Sequence, residues 1–322
     1  MFKKVLLILI SSILFVLGWW GSEKYFSYLD RNPAQDWSTL GGKPKPLEKY
    51  TIENLSKTDF KPSEINIEAN LFSFNVHDKR VTGLINIPDG NGPFPIIILL
   101  RGYVDQSIYV TGTGTKRVGE YFAENGYITL APDFLGYGGS DSEAENIFEA
   151  RFQTYTTVLT LLKSINYENF PEWDGKNIFI WGHSNGGQIA LTVLTITQEK
   201  YPTVLWAPVT EAFPYSVLYY TNESDDGGKF IRSKLARFEE DYDVDQFSLT
   251  NYLDRINAPI EYHWGTNDDA IPSEWRDRFL KKMKALNINI KNYNHPNADH
   301  NMNPFWGDVI QKTFIFFESN RN

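Results

Sequence analysis

Cysteine is absent from the 322-residue sequence. Its absence excludes disulfides, thiolate nucleophiles, zinc–thiolate sites and lipidation on cysteine. Cysteine content therefore does not indicate whether the protein works in an oxidising or a reducing compartment. Positive charge is also scarce, with 31 Lys and Arg against 40 Asp and Glu, for a net charge of −9. Because nucleic-acid binding needs extended clusters of Lys and Arg, and the sequence has only short ones such as the pair at positions 3 and 4, we expect no nucleic-acid partner.

Apolar residues, by contrast, are plentiful. Hydrophobic residues make up 42% of the chain and aromatic residues 15%. This balance can build a substantial core and excludes a disordered or fibrous chain. The length allows one large α/β domain or two smaller ones.

The N-terminus is an uncharged apolar run over residues 5–20 that follows two lysines. A membrane-spanning helix needs about 20 apolar residues and a signal peptide core about 7–15, so the run falls between the two. Trp19 and Trp20 favour the membrane interface, and no Ala-x-Ala cleavage site stands nearby. We therefore predict an uncleaved signal-anchor over residues 1–20, with the rest of the chain on the outer face of the membrane. Secretion after cleavage is the alternative.

Beyond the anchor, residues 21–64 are polar, are interrupted by proline and glycine, and predict a stalk or wrapping arm. Strand and helix patterns then alternate through residues 65–322. This alternation predicts one α/β catalytic domain with a mostly parallel sheet flanked by helices. An antiparallel hairpin is predicted at 65–76 and 81–87. Further strands are predicted at 94–100, 127–132, 177–181, 203–206, 259–263 and 288–292, and helices at 117–124, 145–165, 188–196, after 263 and at the C-terminus.

Residues 207–258 break this alternation with several aromatic residues and an acidic stretch. An insertion between two strands of a parallel sheet lies over their carboxyl ends, where ligands bind in open α/β sheets. We therefore predict a lid at 207–258.

Ser184 is the candidate nucleophile. It stands in Gly182-His183-Ser184-Asn185-Gly186, directly after the predicted strand 177–181 and before a predicted helix. A serine at the apex of such a sharp strand–turn–helix is exposed for attack, and the flanking glycines prevent clashes within the turn. The five-residue pattern is common by chance, but this context makes it specific.

A nucleophilic serine needs a histidine base, and three histidines follow it in the chain. His263 lies inside a predicted strand, which indicates a structural role. His300 lies in the loop between the last strand and the last helix, where a base can reach the top of the sheet. His300 is therefore the predicted base, and His295 remains the alternative.

An acid must orient that base, and in this chain order it lies between serine and histidine. Asp268 and Asp269 both follow the strand 259–263. Asp268 is the better candidate for the acid, because Asp269 is the one more readily assigned to a structural role in a turn or at a helix N-cap.

Two backbone N–H groups must stabilise the developing oxyanion. The residue after the nucleophile, Asn185, is predicted to supply one, and Tyr103, in the loop after the strand 94–100, the other. Arg101 precedes this loop. Three roles remain open for it: orienting the loop, contacting a substrate carboxylate, or pairing with an acid at the surface.

Four motifs together resemble the α/β-hydrolase superfamily, in particular the catalytic domain of prolyl oligopeptidase-like and acylaminoacyl serine peptidases. They are Gly-His-Ser-Asn-Gly-Gly at 182–187, Ala-Pro-Asp-Phe-Leu-Gly-Tyr-Gly-Gly-Ser-Asp at 131–141, Gly-Thr-Asn-Asp-Asp-Ala-Ile-Pro at 265–272 and Ala-Asp-His at 298–300. The resemblance covers residues 65–320 and implies a triad of Ser184, Asp268 and His300.

The sequence departs from that family in two places. Arg101-Gly102 stands where the family usually has His-Gly. This difference affects the assignment of Tyr103 as the second oxyanion donor. The chain also has no room for the family's N-terminal β-propeller, so the insertion at 207–258 would have to select the substrate.

The predicted function is hydrolysis of a peptide or aminoacyl amide through an acyl-serine intermediate, with a small molecule or short peptide as substrate. The acidic residues of the insertion, Glu211, Glu239, Glu240 and Asp241, would either hold a peptide amino terminus or form ordinary solvated surface charge. The alternative is a carboxylesterase or lipase-like enzyme on the same triad, and a third possibility is a noncatalytic binding protein on this scaffold. No organic cofactor is expected, and no His, Asp and Glu group has the spacing of metal ligands.

Overall fold

The computed structural model describes residues 45–166, 168–222 and 224–322. The signal-anchor predicted over residues 1–20 and the first part of the predicted arm lie outside these ranges. Within the ranges, none of the helices combines the length and the apolar character that crossing a membrane requires.

The described residues form one sheet of nine strands. They are β1 (Asn66–Glu68), β2 (Leu71–Val76), β3 (Lys79–Asn86), β4 (Phe94–Leu100), β5 (Ile128–Pro132), β6 (Trp173–His183), β7 (Thr203–Trp206), β8 (Ile260–Gly265) and β9 (Ile290–His295). The order across the sheet is β1-β2-β3-β5-β4-β6-β7-β8-β9. The first three strands run antiparallel to their neighbours, and β4 to β9 pair in parallel. The predicted α/β-hydrolase architecture is confirmed.

Helices cover both faces of this sheet. They are α1 (Ile52–Lys57), α2 (Lys116–Glu124), α3 (Ile147–Ser164), α4 (Asn185–Thr197), α5 (Tyr215–Thr221), α6 (Lys229–Asp241), α7 (Ser273–Ala285) and α8 (Trp306–Ser319). Alternate residues of β4 point to opposite faces. Ile96 and Ile98 join the core cluster that contains α3, α4 and α6, whereas Ile97 and Leu99 join the cluster that contains α2 and α8. A strand buried on both faces needs the continuous apolar run that β4 has.

The predicted arm contains a short helix that its sequence pattern did not reveal. α1 is six residues long, too short to display a helical period, and the Thr51 hydroxyl caps it by accepting the Asn54 backbone N–H at 3.2 Å. Ile52 and Leu55 are buried in the core. The described end of the arm is therefore packed onto the hydrolase domain.

The insertion at 207–258 contains α5, α6 and three short 3-10 turns. Phe238 of α6 packs against Phe148 of α3 and against Phe213, with ring centroids 5.0 Å and 5.9 Å apart. α5 lies beside the loop that follows β8, since the Tyr220 hydroxyl donates to the Ala270 carbonyl at 3.2 Å. The insertion is thus anchored by α6 and reaches the carboxyl edge of the sheet with α5. Its action as a lid stays a prediction.

Candidate active site

Ser184 occupies the turn between β6 and α4 with φ 54° and ψ −119°. A positive φ in a residue other than glycine costs about 1–3 kcal/mol and persists only where surrounding contacts enforce it. Here the Ser184 N–H donates to the Trp206 carbonyl of β7, and the Val209 N–H donates to the Ser184 carbonyl, both at 3.0 Å. The next parallel strand and its loop therefore hold the turn from the side.

The glycines around Ser184 allow a close approach of three segments. A Cβ on Gly182 would lie 2.7 Å from the Gly186 carbonyl oxygen, and a Cβ on Gly186 would lie 1.9 Å from the Leu100 carbonyl oxygen at the end of β4. Both distances are below any real Cβ contact, so the spacing of the motif follows from packing of the turn against its neighbours.

Asp268 and His300 come together at the carboxyl edge of the sheet. His300 Nδ1 lies 3.0 Å from Asp268 Oδ2 and 3.1 Å from Oδ1. The Asp268 side chain is fully buried, and its Oδ1 also accepts the backbone N–H groups of Ala270 and Ile271. These donors hold the carboxylate in place, and the carboxylate in turn orients the histidine ring. Asp269, the alternative acid, is exposed.

The two other candidate histidines form a separate, buried series of hydrogen bonds. His263 Nε2 lies 2.9 Å from Glu261 Oε1, and His263 Nδ1 lies 2.9 Å from His295 Nε2. The two rings bond to each other, and neither forms a hydrogen bond with Asp268. Of the three candidate histidines, the structure therefore pairs only His300 with Asp268. The catalytic roles of Asp268 and His300 stay predictions.

His183 was not singled out from the sequence, yet it links the turn to the His300 loop. Its Nε2 lies 3.0 Å from the His300 carbonyl oxygen, and the two rings lie 4.7 Å apart. A carbonyl only accepts, so the His183 Nε2 carries the proton. Burial lowers the pKa of His183 to about 4, with His300 adding to the effect. His183 is thus a neutral donor at pH 7, placed between the nucleophile turn and the predicted base.

The loop after β4 lies directly against Ser184. A Cβ on Gly102 would lie 3.1 Å from the Ser184 Cβ. Arg101 is buried, and its guanidinium donates to the Gly102 carbonyl at 3.0 Å and to the Asp133 carbonyl at 3.1 Å. Of the roles left open for Arg101, the structure therefore favours orienting the loop, and the surface interpretation is wrong. Tyr103 comes next in the chain with an exposed side chain.

Aromatic rings and a buried acid hold Arg101 in place. Its guanidinium carbon lies 4.5 Å from the centroid of the Tyr109 ring and 4.0 Å from that of the Tyr137 ring. Asp133 is fully buried and accepts the hydroxyls of Tyr109 and Thr111 at 2.6 Å and 2.9 Å. The same network that fixes Arg101 therefore also fixes the loop at 105–115.

A cavity of about 530 Å³ opens beside this site. It lies between residues 110–118 and 301–306, and Trp181, His183 and Trp206 line it. Across the described ranges, no group of three or more His, Asp or Glu side chains is arranged to hold a metal ion.

Comparison with known proteins finds relatives in sequence and in fold. The family model Hydrolase_4, described as serine aminopeptidase, S33, matches residues 93–238. Acetyl esterase Axe7A of Xylanibacter ruminicola is 23% identical over 222 residues, which cover 61% of this chain and 48% of the relative. The chain spans about half the length of the curated relatives it matches.

Solved structures share the fold. Est1E of Butyrivibrio proteoclasticus, solved with ferulic acid, superposes with a TM-score of 0.56 at 18% identity, over 77% of this chain and 99% of Est1E. The acylaminoacyl peptidase of Pyrococcus horikoshii gives 0.58 at 18% identity, over 80% of this chain and 41% of the peptidase. The chain has the α/β-hydrolase fold. The proteins that it resembles include both esterases and peptidases.

Proposed function

We propose that this protein hydrolyses carboxylic esters through an acyl-Ser184 intermediate. The observation that carries the proposal is the buried Asp268 carboxylate on His300 Nδ1, next to a strained turn that presents Ser184. A serine hydroxyl is a weak nucleophile near neutral pH and needs a base oriented by a third group. These three residues supply that arrangement in the chain order typical of the fold.

In the proposed mechanism, His300 receives the proton of Ser184 on Nε2, because Nδ1–H donates to Asp268. Ser184 Oγ attacks the ester carbonyl carbon, and the C–O bond to the leaving alcohol breaks as His300 returns the proton to that oxygen. A water molecule, deprotonated by His300, then attacks the acyl carbon. The bond between that carbon and Ser184 Oγ breaks as His300 returns the proton to Oγ, which releases the carboxylic acid and restores the serine.

The oxyanion of each tetrahedral intermediate is assigned to the backbone N–H groups of Asn185 and Tyr103. Asn185 begins α4, and its N–H lies at the free N-terminal end of that helix. Tyr103 follows Gly102, whose carbonyl Arg101 binds. Arg101 therefore supports the orientation of the peptide groups that surround the oxyanion.

The contacts of Glu211 weaken one argument for a peptide substrate. A peptide amino terminus needs a free carboxylate, but the two Glu211 oxygens are engaged by the Arg278 guanidinium and by the Ala212 backbone N–H. The similarity to an acetyl esterase supports an ester as the substrate.

Hydrolysis of peptide or aminoacyl amides is the second candidate. The match to a family model described as serine aminopeptidase favours it, as does the fold shared with acylaminoacyl peptidases. For an ester and for an amide alike, we assign substrate selection to the insertion at 207–258. Its helix α5 lies near the Asp268 loop and carries three exposed tyrosines, Tyr215, Tyr219 and Tyr220.

The test compares kcat/KM on 4-nitrophenyl butyrate with that on 2-aminobutyryl 4-nitroanilide, whose acyl chain has the same number of carbon atoms. We expect turnover of the ester at a kcat/KM well above that of the anilide. Asp268→Asn should lower kcat by about 10⁴-fold, because the histidine then loses its preferred tautomer. Asp269→Asn is the matched control and should retain activity. A higher kcat/KM on the anilide would establish the peptidase instead, and loss of activity in Asp269→Asn alone would overturn the assigned acid.

A further inference from the structure

The loop that carries His300 leaves the backbone of this residue with a single hydrogen bond. The loop closes around Asp299, whose Oδ1 accepts the N–H groups of Asn301 and Asn303, both at 2.8 Å. Among the described residues, the His300 N–H has no acceptor, and the His300 carbonyl accepts only from His183 Nε2, at 3.0 Å. His183 is therefore the contact by which the sheet holds the main chain of the predicted base.

The His183 side chain is itself held in place. His183 is the last residue of β6, where it is paired in parallel with Trp206 of β7. Its ring stacks against Trp181, with centroids 6.1 Å apart and an angle of 20° between the ring planes. Burial lowers the pKa of His183 to about 4, with the neighbouring His300 adding to the effect, so the ring stays neutral near pH 7. A neutral ring has one N–H, and the carbonyl acceptor assigns it to Nε2.

The same strand end also presents the predicted nucleophile. Ser184 follows His183 directly, and its N–H donates to the Trp206 carbonyl at 3.0 Å. Asp268 holds the His300 ring from the loop after a different strand, β8, through Nδ1 at 3.0 Å. Two contacts therefore locate the predicted base. Asp268 sets the orientation of the ring, and His183 ties the main chain of His300 to the turn that contains Ser184.

We propose that His183 is a positioning residue, whose Nε2–H holds the main chain of His300 so that Nε2 of the His300 ring stays directed at Ser184 Oγ during proton transfer. The proposal rests on the proposed hydrolysis through Ser184 and His300. His183 acts through His300 and exchanges no proton with the substrate. Because the alignment of the reacting groups governs the chemical step, loss of this contact should lower kcat and leave KM unchanged.

Three substitutions of His183 test the donor. His183→Gln keeps a nitrogen donor at the same number of bonds from Cα as Nε2, His183→Met has a similar length without a donor, and His183→Asn has an amide that is too short to reach. We expect kcat on 4-nitrophenyl butyrate to fall about 10-fold in His183→Met and His183→Asn, as the loss of one hydrogen bond predicts, and to stay near the wild-type value in His183→Gln. His77→Gln, in an exposed turn between β2 and β3, is the control and should retain full activity.

A measurement by NMR separates this proposal from the proposed function. The proton that His300 Nδ1 donates to Asp268 should give a downfield proton resonance, which Asp268→Asn identifies by its loss. We expect this resonance to be broadened in His183→Met and retained in His183→Gln. An unchanged kcat and resonance in His183→Met, or equal losses in His183→Met and His183→Gln, would overturn the role of His183 while ester hydrolysis stands. A resonance that depends on His183 in a protein that hydrolyses no ester would overturn the proposed function and leave the positioning contact.

Discussion

Arg101 shows how a single residue at the end of a strand shapes the site. The resemblance to the family predicts histidine before Gly102, and the arginine found there is instead buried between two tyrosines. Its burial depends on Tyr109, Tyr137 and Asp133, which are separated in the chain and meet only in the fold. Its role was therefore not readable from local sequence, although its position next to the oxyanion loop was.

We predict that Arg101→Lys impairs catalysis more than folding. A lysine carries one nitrogen on a flexible stem and cannot bond the Gly102 and Asp133 carbonyls in the fixed geometry of a guanidinium. Loss of orientation in the oxyanion loop should lower kcat on 4-nitrophenyl butyrate by about 10²-fold. The control is Arg255→Lys, which alters an ion pair with Glu53 outside the site. Wild-type kcat in Arg101→Lys would refute the orienting role.

The candidate catalytic residues were predicted from order and context, whereas His183 was not. Ser184 has a motif, and Asp268 and His300 follow it on loops at the correct strand ends. His183 occupies the variable second position of that motif, and nothing in a single sequence indicates that its ring bonds to the His300 carbonyl. Contacts between loops far apart in the chain depend on the fold and have no local signature.

At the scale of elements, the turn between β6 and α4 is the most tightly constrained. We predict that Gly186→Ala prevents normal folding, because its Cβ would lie 1.9 Å from the Leu100 carbonyl oxygen. Gly307→Ala is the matched control: it lies in α8 with no atom within 4 Å of the new Cβ, and alanine favours a helix over glycine by about 1 kcal/mol. Tm should fall sharply or soluble protein be lost in the first variant and rise slightly in the second. Equal Tm values would contradict the packing explanation.

The pair β8 and β9 should make stability depend on pH. Burial lowers the pKa of His295 to about 4, with His263 and Lys312 adding to the effect, and burial also lowers the pKa of His263 despite the neighbouring Glu261. Unfolded histidines take up protons near pH 6.5. Between about pH 6.5 and 4 the unfolded chain therefore binds more protons, and the free energy of unfolding decreases as the pH falls.

We therefore expect the Tm of the wild type to fall between pH 7 and pH 5. His295→Gln keeps a donor for His263 Nδ1 but removes one titrating group, so its Tm should fall less over the same range. Differential scanning calorimetry at pH 7, 6 and 5 measures both. A variant whose Tm falls as steeply as that of the wild type would show that His295 does not titrate in this range.

Strands were predicted more completely than the connections between them. Continuous apolar runs such as β4 have a distinct pattern, and β7 was predicted with its observed bounds. Helix α4 begins at Asn185, earlier than the predicted 188, because its first turn is polar and glycine-rich and has no apolar period. The six-residue α1 was missed for the same reason, since a period needs several turns to show.

At the scale of the whole molecule, we predict that residues 1–20 anchor the protein in a membrane. Full-length protein should remain in the membrane pellet after alkaline carbonate extraction, with the hydrolase domain accessible to protease from the outer face. A variant lacking residues 1–20 should be recovered in the supernatant. If the full-length gene instead yields a soluble protein that lacks the apolar run, the segment is cleaved and the protein is secreted.

The α/β architecture of the described residues was predictable because alternating strands and helices permit few topologies. The kind of bond that the proposed enzyme would cleave was not, because esterases and peptidases share this fold. The contact that bears on the proposed choice of substrate, between Glu211 and Arg278, joins distant segments of the chain.

The central claim is that Ser184 is a nucleophile activated by His300 and Asp268. Labelling with a fluorophosphonate probe, followed by mass-spectrometric mapping of the modified peptide, tests it most directly. Wild-type protein should be modified at Ser184, and Ser184→Ala should not be labelled. Asp268→Asn should be labelled much more slowly, and the control Ser107→Ala should be labelled normally. Unlabelled wild type, or undiminished labelling of Ser184→Ala, would contradict it.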